Sequence, residues 1–477
     1  MTIEEIIYQN SLNEPNKIAV ISGEISLSYS DLWLKIEEAA SYFLLRTDIN
    51  AGDRIIISAS KNVNFIYSYL GAHLAKLICV PIDTETNEVR LERIYNQSQP
   101  KLIIGELRDS KGFDVIPFAE VSSETKQVYS FPDETSIADL LFTTGTTGLP
   151  KGVALSYNNL LSAAKNINSF IGNNSSDIEL LALPISHSFG LGRLRCTLVQ
   201  GATLVLLGSF ASMKKFYNEI ERCGVTGFGM VPASWAYIKK MSSERIAKYA
   251  DQLKYIEIGS AFMPVEDKKL LMNLLPKTRI CMHYGLTEAS RSAFISFHDD
   301  IAHLNTVGKS SPNTEIEVYS EKGELLGPNK EGEICVKGNH VCSAYWGLPK
   351  SDFDNDFNGE FFKTGDWGYK NFEGYIYLKS RKKEIINVGG KKVSPIEVEE
   401  FINKIDGILE SACIGVKDNV FGEVVKAFIV CDNEIKDAEI KEILKSQIEN
   451  YKIPVYIEKI YEIPKTNSGK IQRLMLK

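Results

Sequence analysis

LLFTTGTTGLPKGVALS, residues 140–156, gathers four Thr and three Gly around a Pro-Lys-Gly. LLF reads as the end of a strand, and SYNNLLSAAKNI reads as a helix capped at Ser156. A glycine-rich loop after a strand and before a helix lets backbone N–H groups converge on an anion, and threonine hydroxyls add donors. The spacing is not that of a G-x-x-x-x-G-K-[ST] loop. Five residues after Gly145 stands Pro150, and Lys151 is followed by Gly152. The plain alternative, a surface turn, leaves so many Thr and Gly in one connection without a reason.

Outward from this stretch the first half of the chain alternates β-branched runs with helical patterns. KIAVIS and ISLSYS read as a hairpin around Gly23, with Ser30 as N-cap of the following helix. RIIISAS, NVNFIYSYLGAHLA and LICVPID read as strand, helix, strand. KLIIGE, IELLALP, ATLVLLG, GFGMVP and YIEIGS continue the pattern of a large α/β fold with parallel strands and crossovers. After residue 305 turn chemistry and short strands dominate. From about 381 helix and strand alternate again, as in a compact α+β module. The expected organisation is a large N-terminal domain over 1–380, with α/β subdomains and a β-rich subdomain. A small mobile α+β C-terminal domain over 381–477 follows, the junction lying in the charged link 378–384.

The 477 residues are 44% hydrophobic and 24% charged, with net charge −7. No long basic run stands out, which argues against nucleic acid or an anionic membrane as main partner. The N-terminus MTIEEIIYQN has no basic start, so it is not a signal peptide. No apolar run approaches the ~20 residues of a spanning helix. Eight scattered Cys without a C-x-x-C pair suit reduced thiols and a cytoplasmic location.

TTGTTGLPKGV resembles the phosphate-loop signature of the acyl-adenylate-forming enzymes: acyl-CoA synthetases, peptide-synthetase adenylation domains and beetle luciferases. Further stretches are similar to that family's signatures, in family order. They are PISHSFG (184–190), GSAFM (259–263), YGLTE (284–288), GEICVKG (332–338), FFKTGDWG (361–368), SRKKEIINVGGKKVSPIEVE (380–399) and PKTNSGKIQR (464–473). The resemblance covers nearly the whole chain. It implies that a carboxylate and ATP give acyl-AMP and pyrophosphate, with Mg²⁺, and that a thiol then takes the acyl group.

The resemblance also implies residue roles. Thr143, Thr144, Gly145, Thr146, Thr147 and Gly148 would hold the β- and γ-phosphates, with Lys151 within reach. Glu288 would hold Mg²⁺, a hard cation that takes carboxylate and phosphate oxygens. Thr287 would meet the α-phosphate. Tyr284 and Gly285 would flank the adenine opposite Gly259, Ser260 and Ala261. Asp366 would accept from both ribose hydroxyls, with Arg381 in support. Lys470 would bridge the acid carboxylate and the α-phosphate. Lys383 falls at the family's hinge, and Gly389 and Gly390 would line a thiol tunnel in a second orientation of the small domain. Ser380 departs from the family, which usually has Gly before the junction arginine.

The turn at His187-Ser188-Phe189-Gly190 lacks the Asp that α-amino-acid adenylation domains carry there, so it resembles that of acid:CoA ligases. The expected substrate is a carboxylic acid without an α-amino group, with His187 beside its carboxylate. The chain ends eight residues after Gly469, so no carrier domain is expected. The acceptor is then CoA or the pantetheinyl arm of a separate carrier protein. A catalytically inactive nucleotide-binding homologue is the remote alternative, against which Glu288, Asp366 and Lys470 are all present. Leu191, Leu194 and Leu198 share a helical face. Arg193 and Arg195 lie off it and, with Arg291, are candidates to pair a second polar group on the acid. The plainer reading of these arginines is structural ion pairing.

Overall fold

The computed structural model describes residues 1–143, 151–432, 435–465 and 471–476. The chain divides into two compact units: 1–304 with 308–315 and 336–362, and 305–307 with 316–335 and 363–477.

The first unit begins with helix α1 (Ile3–Asn13), strands β1 (Ile18–Ser22) and β2 (Ile25–Ser28), and helix α2 (Tyr29–Leu44). The cap of α2 is Ser28 rather than the expected Ser30. Its hydroxyl accepts from Asp31 N and the Asp31 carboxylate reaches back, a capping box that uses the last residue of the hairpin. Then come β3 (Arg54–Ser58), α3 (Val63–Leu74), β4 (Ile78–Ile82), α4 (Glu88–Ser98), β5 (Leu102–Ile104), β6 (Val115–Ile116), β7 (Ile137–Thr143) and β8 (Lys151–Ser156). Helix α5 (Tyr157–Ile171), β9 (Ile178–Leu181), α6 (Ser188–Val199) and β10 (Thr203–Leu206) follow. After α7 (Met213–Cys223) stands β11 (Gly227–Met230), after α8 (Pro232–Ser242) β12 (Tyr255–Ile258), and after α9 (Val265–Leu274) β13 (Arg279–Tyr284). β14 (Ala293–Ser296) and β15 (Lys309–Ser310) close this run.

Two sheets result. One has the order β15-β14-β13-β12-β11-β9-β10-β1-β2, parallel from β13 to β1. In the other, β7, β4, β3, β5 and β6 are parallel neighbours, and β8 runs antiparallel to β7. Every residue of α6 from Phe189 to Leu198 is buried, as befits a helix with both sides covered. Arg193 and Arg195 are two positions apart, about 200° around the helix. Accordingly Arg193 pairs with Glu179 on β9, and Arg195 with Asp139 on β7. One helix is thus tied to each sheet by its own guanidinium.

The division between units runs through β16 (Glu315–Tyr319), β17 (Gly332–Lys337) and a later strand. Between them the first unit contains β18 (Ala344–Tyr345), antiparallel to β8, then α10 (Lys350–Asp354) and β19 (Phe357–Asn358). In the second unit β20 (Phe361–Lys370) pairs antiparallel with β21 (Ile376–Arg381). Next come β22 (Ile386–Val388), β23 (Lys391–Val393), α11 (Pro395–Ile402), β24 (Ile408–Asp418), β25 (Gly422–Cys431), α12 (Asp437–Lys445) and β26 (Tyr456–Lys459). These enclose a separate aliphatic core that includes Ile386, Val398, Ile402, Ile429, Ile440 and Leu444. No helix among the described residues is long and apolar enough to cross a membrane.

Candidate active site

The phosphate-loop stretch corrects one expectation. It connects strand to strand, not strand to helix. Thr143 ends β7 opposite Lys151, which begins β8, and α5 follows only after β8, capped at Ser156 by a box with Asn159. The β-branched and apolar GVALS pairs on both sides, with the neighbouring β7 and with the distant β18, and this two-sided pairing outweighs the nearby helix signal. A helix N-terminus therefore does not directly follow the loop. Thr144, Gly145, Thr146, Thr147 and Gly148 lie outside the described residues. Lys151 Nζ stands 4.7 Å from the centre of the Tyr345 ring. The same ring feels Glu288: burial and that carboxylate both raise the Tyr345 pKa. The backbone at 288 is pinned by Cys342 N, which donates to the Glu288 carbonyl at 2.7 Å. Lys151 and Glu288 thus act on one tyrosine. A half-buried carboxylate suits Mg²⁺, which takes one or two protein carboxylates and completes its shell from phosphates and water.

β12 and β13 run parallel, and their C-terminal ends lie side by side, with Ile258 opposite Met282. Gly259 then faces His283, and a Cβ at 259 would collide with the imidazole. Ser260 follows at φ +74°, and Arg291, after the next motif, sits at φ +55°. Neither is glycine, and left-handed backbone at such residues is a strain that packing must hold. Tyr284 ends β13 almost buried. Thr287 lines a crevice between α5, α6 and the turn 287–291.

β9 leads through Pro184-Ile185-Ser186 to His187, the N-cap residue of α6, whose side chain makes no cap hydrogen bond. Gly190 has the Pro184 carbonyl where a Cβ would stand, which folds the turn tightly. His187 is open to solvent but ringed by protein. Partial desolvation lowers its pKa, Asp83 opposes this and Arg90 adds to it. Sequence reasoning missed these neighbours. Ser186 Oγ donates to Asp83 at 3.2 Å, and Lys61 Nζ donates to the Ala182 carbonyl at 2.7 Å. Burial pushes the Lys61 ammonium down to about 8. The signal was available: Lys61 and Asp83 follow β3 and β4, and ligands of α/β sheets gather at the carboxyl ends of strands.

The arginines assigned to a substrate group have protein partners instead. Arg193 is fully buried and held by Glu179 and Glu257. Arg195 donates to Asp139 and Tyr69. Arg291 donates to Glu257 at 3.2 Å, to the carbonyls of Ser188 and Phe189 at 2.8 Å each, and to Ser290 Oγ at 3.0 Å. The plainer reading, structural ion pairs, describes this geometry. Glu257 and His283, also missed, belong to the same cluster. His283 Nδ1 stands 2.6 Å from Glu257, and burial lowers its pKa although that carboxylate opposes the shift.

In the second unit Asp366 faces Arg381 across β20 and β21, with Arg381 Nε 2.9 Å from the carboxylate. Arg381 also donates to the Thr364 carbonyl at 3.0 Å, so the Thr-Gly-Asp turn is braced by the residue expected to support it. Lys383 is exposed in a short 3₁₀ turn after β21. Gly389 and Gly390 join β22 to β23 with φ +58° and +84°, the geometry of a two-residue hairpin. Lys470 lies outside the described residues.

Comparison with known proteins agrees with this assembly. The AMP-binding enzyme family model matches residues 8–346, and the AMP-binding enzyme C-terminal domain model matches residues 397–470. A 2-succinylbenzoate–CoA ligase of Staphylococcus epidermidis is 26% identical, over 99% of this chain and 97% of its own. A long-chain-fatty-acid–CoA ligase of Mycobacterium tuberculosis is 27% identical, over 96% and 93%. The solved o-succinylbenzoate coenzyme A synthetase from Bacillus subtilis, in complex with ATP and magnesium ion, shares the fold with a TM-score of 0.90. It is 24% identical, over 99% of this chain and 98% of that one. With its α/β sheets, its motifs at their strand ends and both family domains in order, the chain belongs to the AMP-binding enzymes.

Proposed function

We propose that this enzyme activates a carboxylic acid with ATP to acyl-AMP, releasing pyrophosphate, and passes the acyl group to CoA. One observation carries the reading. Thr143, the 184–190 turn, Gly259 and Tyr284 stand at the carboxyl ends of β7, β9, β12 and β13, where α/β sheets hold ligands. In this reading the loop from Thr143 and Lys151 hold the outer phosphates and Thr287 the α-phosphate. Tyr284 and Gly259 to Ala261 enclose the adenine, and Asp366 with Arg381 takes the ribose. Glu288 would hold Mg²⁺, which supplies charge neutralisation on the phosphates when bound. Lys470 stabilises charge at the reacting oxygens.

The domain boundary is placed after residue 380, with Lys383 as pivot and the Gly389-Gly390 turn as the thiol-side surface. The separate core of 386–448 supports that boundary. CoA is favoured as acceptor because the relatives described above are CoA ligases. A separate carrier protein is the second reading. A cytoplasmic location is in keeping with eight unpaired cysteines.

The test is acid-dependent ATP–pyrophosphate exchange over a panel of acids, followed by addition of CoA. Lys470→Ala should slow exchange by about 10²–10³ and spare thioester formation from supplied acyl-AMP. Folded protein that binds ATP but exchanges with no acid would refute the reading.

A further inference from the structure

The arginines are not available to the acid as hydrogen-bonding partners, but one of them packs directly against the turn that follows His187. His187 is the residue expected beside the acid carboxylate, and the reading above gives Thr287 the α-phosphate. The region beyond His187 is bounded by the first turn of α6 and the ends of β12 and β13. Phe189 meets His283 there edge to face, with ring centres 4.6 Å apart. The Arg291 guanidinium carbon lies 4.8 Å from the centre of the Phe189 ring. Two of the carbonyls Arg291 bonds, Ser188 and Phe189, directly follow His187. On the helix side, Gly192 leaves room for it: a Cβ there would stand 2.6 Å from an Arg291 Nη.

Behind Arg291 come Glu257, Arg193 and Glu179, two guanidiniums and two carboxylates in all, with the His283 imidazole beside Glu257. The β11 side has no slack either. A Cβ at Gly229 would come within 2.9 Å of Leu183 and 3.4 Å of both Phe189 and Arg193, and one at Gly227 would run into the Tyr255 ring. The space between α6 and the sheet is therefore filled with charge and aromatic rings. On this side of Arg291 an apolar chain would have to move a guanidinium off Glu257 and leave that carboxylate buried beside grease.

We propose that Arg291 is a specificity-determining residue that closes the acyl site and restricts the enzyme to short acids. The proposal rests on the adenylation reading, but its test is separable from it. Purified full-length enzyme is assayed by pyrophosphate exchange with acetate, butyrate, hexanoate and decanoate, in wild type, Arg291→Ala, and the double variant Arg291→Ala/Glu257→Gln, which removes both charges together. Each removed methylene contact in a fitted pocket changes kcat/KM by about tenfold or more. Wild type should therefore favour butyrate over decanoate by at least about 100-fold. The folded variants should reduce that ratio by about tenfold or more, through gain on the longer acids. A purely structural role would lower all acids together and leave the ratio unchanged. Equal use of butyrate and decanoate by wild type, or an unchanged ratio in folded variants, overturns the proposal while leaving adenylation intact. Absence of exchange with every acid refutes adenylation itself. If neither variant folds, the wild-type ratio decides.

Discussion

The surroundings of α6 and the module that follows residue 385 are both well buried, but they are made of different material. Around α6, Arg193, Arg195, Glu179, Asp139 and Glu257 lie in the interior, each matched to an opposite charge. The module packs Ile386, Val398, Ile402, Ile429, Ile440 and Leu444. Aliphatic contacts are non-directional, so such a core holds a module together without fixing any one atom to another. A buried guanidinium tolerates little displacement, because each donor has a particular acceptor to lose. The charged region is thus suited to holding the end of β12, the 187–190 turn and the turn that follows Tyr284 in fixed register. The aliphatic module has a core of its own.

The sharpest way to break this contrast is Glu257→Ala. It leaves Arg193 and Arg291 buried with half their compensation gone, and should cost about 3–5 kcal/mol in urea unfolding. A cost under about 1 kcal/mol would mean that the network is not what organises the region. Ile402→Ala in the module should cost about 2–5 kcal/mol, read as lost amide-exchange protection of 386–476. It should leave the ranking of acids in pyrophosphate exchange unchanged; a changed ranking would show that the module also shapes the acid site.

The smallest expected effect is pH-dependent. His340 is buried against the 287–292 turn, its Nε2 3.1 Å from Ser292 Oγ, and burial lowers its pKa to about 4. The unfolded chain then binds the proton more readily than the folded one. This contribution is fully present above about pH 6.5 and is lost as pH falls towards 4, at most about 3 kcal/mol. His340→Gln should flatten that part of the pH–stability curve. An unchanged curve would place the acid sensitivity elsewhere.

Much of the fold was legible locally. The parallel strands from RIIIS to YIEI are short β-branched or apolar runs bounded by turn residues, and the helices between them carry caps. The Ser28 cap was misplaced by two residues because Ser28 and Ser30 offer the same hydroxyl, and only the end of the hairpin chooses between them. The strand at 151–156 was missed because KGVALS pairs on one side with the neighbouring β7 and on the other with β18, which lies nearly two hundred positions further along the chain.

Candidates for the nucleotide site could be named in advance because the chemistry proposed for them is carried by short contiguous motifs: a loop, a carboxylate after a threonine, a Thr-Gly-Asp turn. The sequence by itself therefore determined the family and the order of its two family domains. The role of Arg291 was not determined in that way. Residue type and spacing allowed its guanidinium to face either a substrate or a protein carboxylate. Only the tertiary structure brought Glu257, 34 positions away, and the Ser188 and Phe189 carbonyls, about a hundred positions away, to its donors. The pairing of a buried charge depends on which strands lie side by side, and that is decided by the whole sheet rather than by any local stretch of the chain.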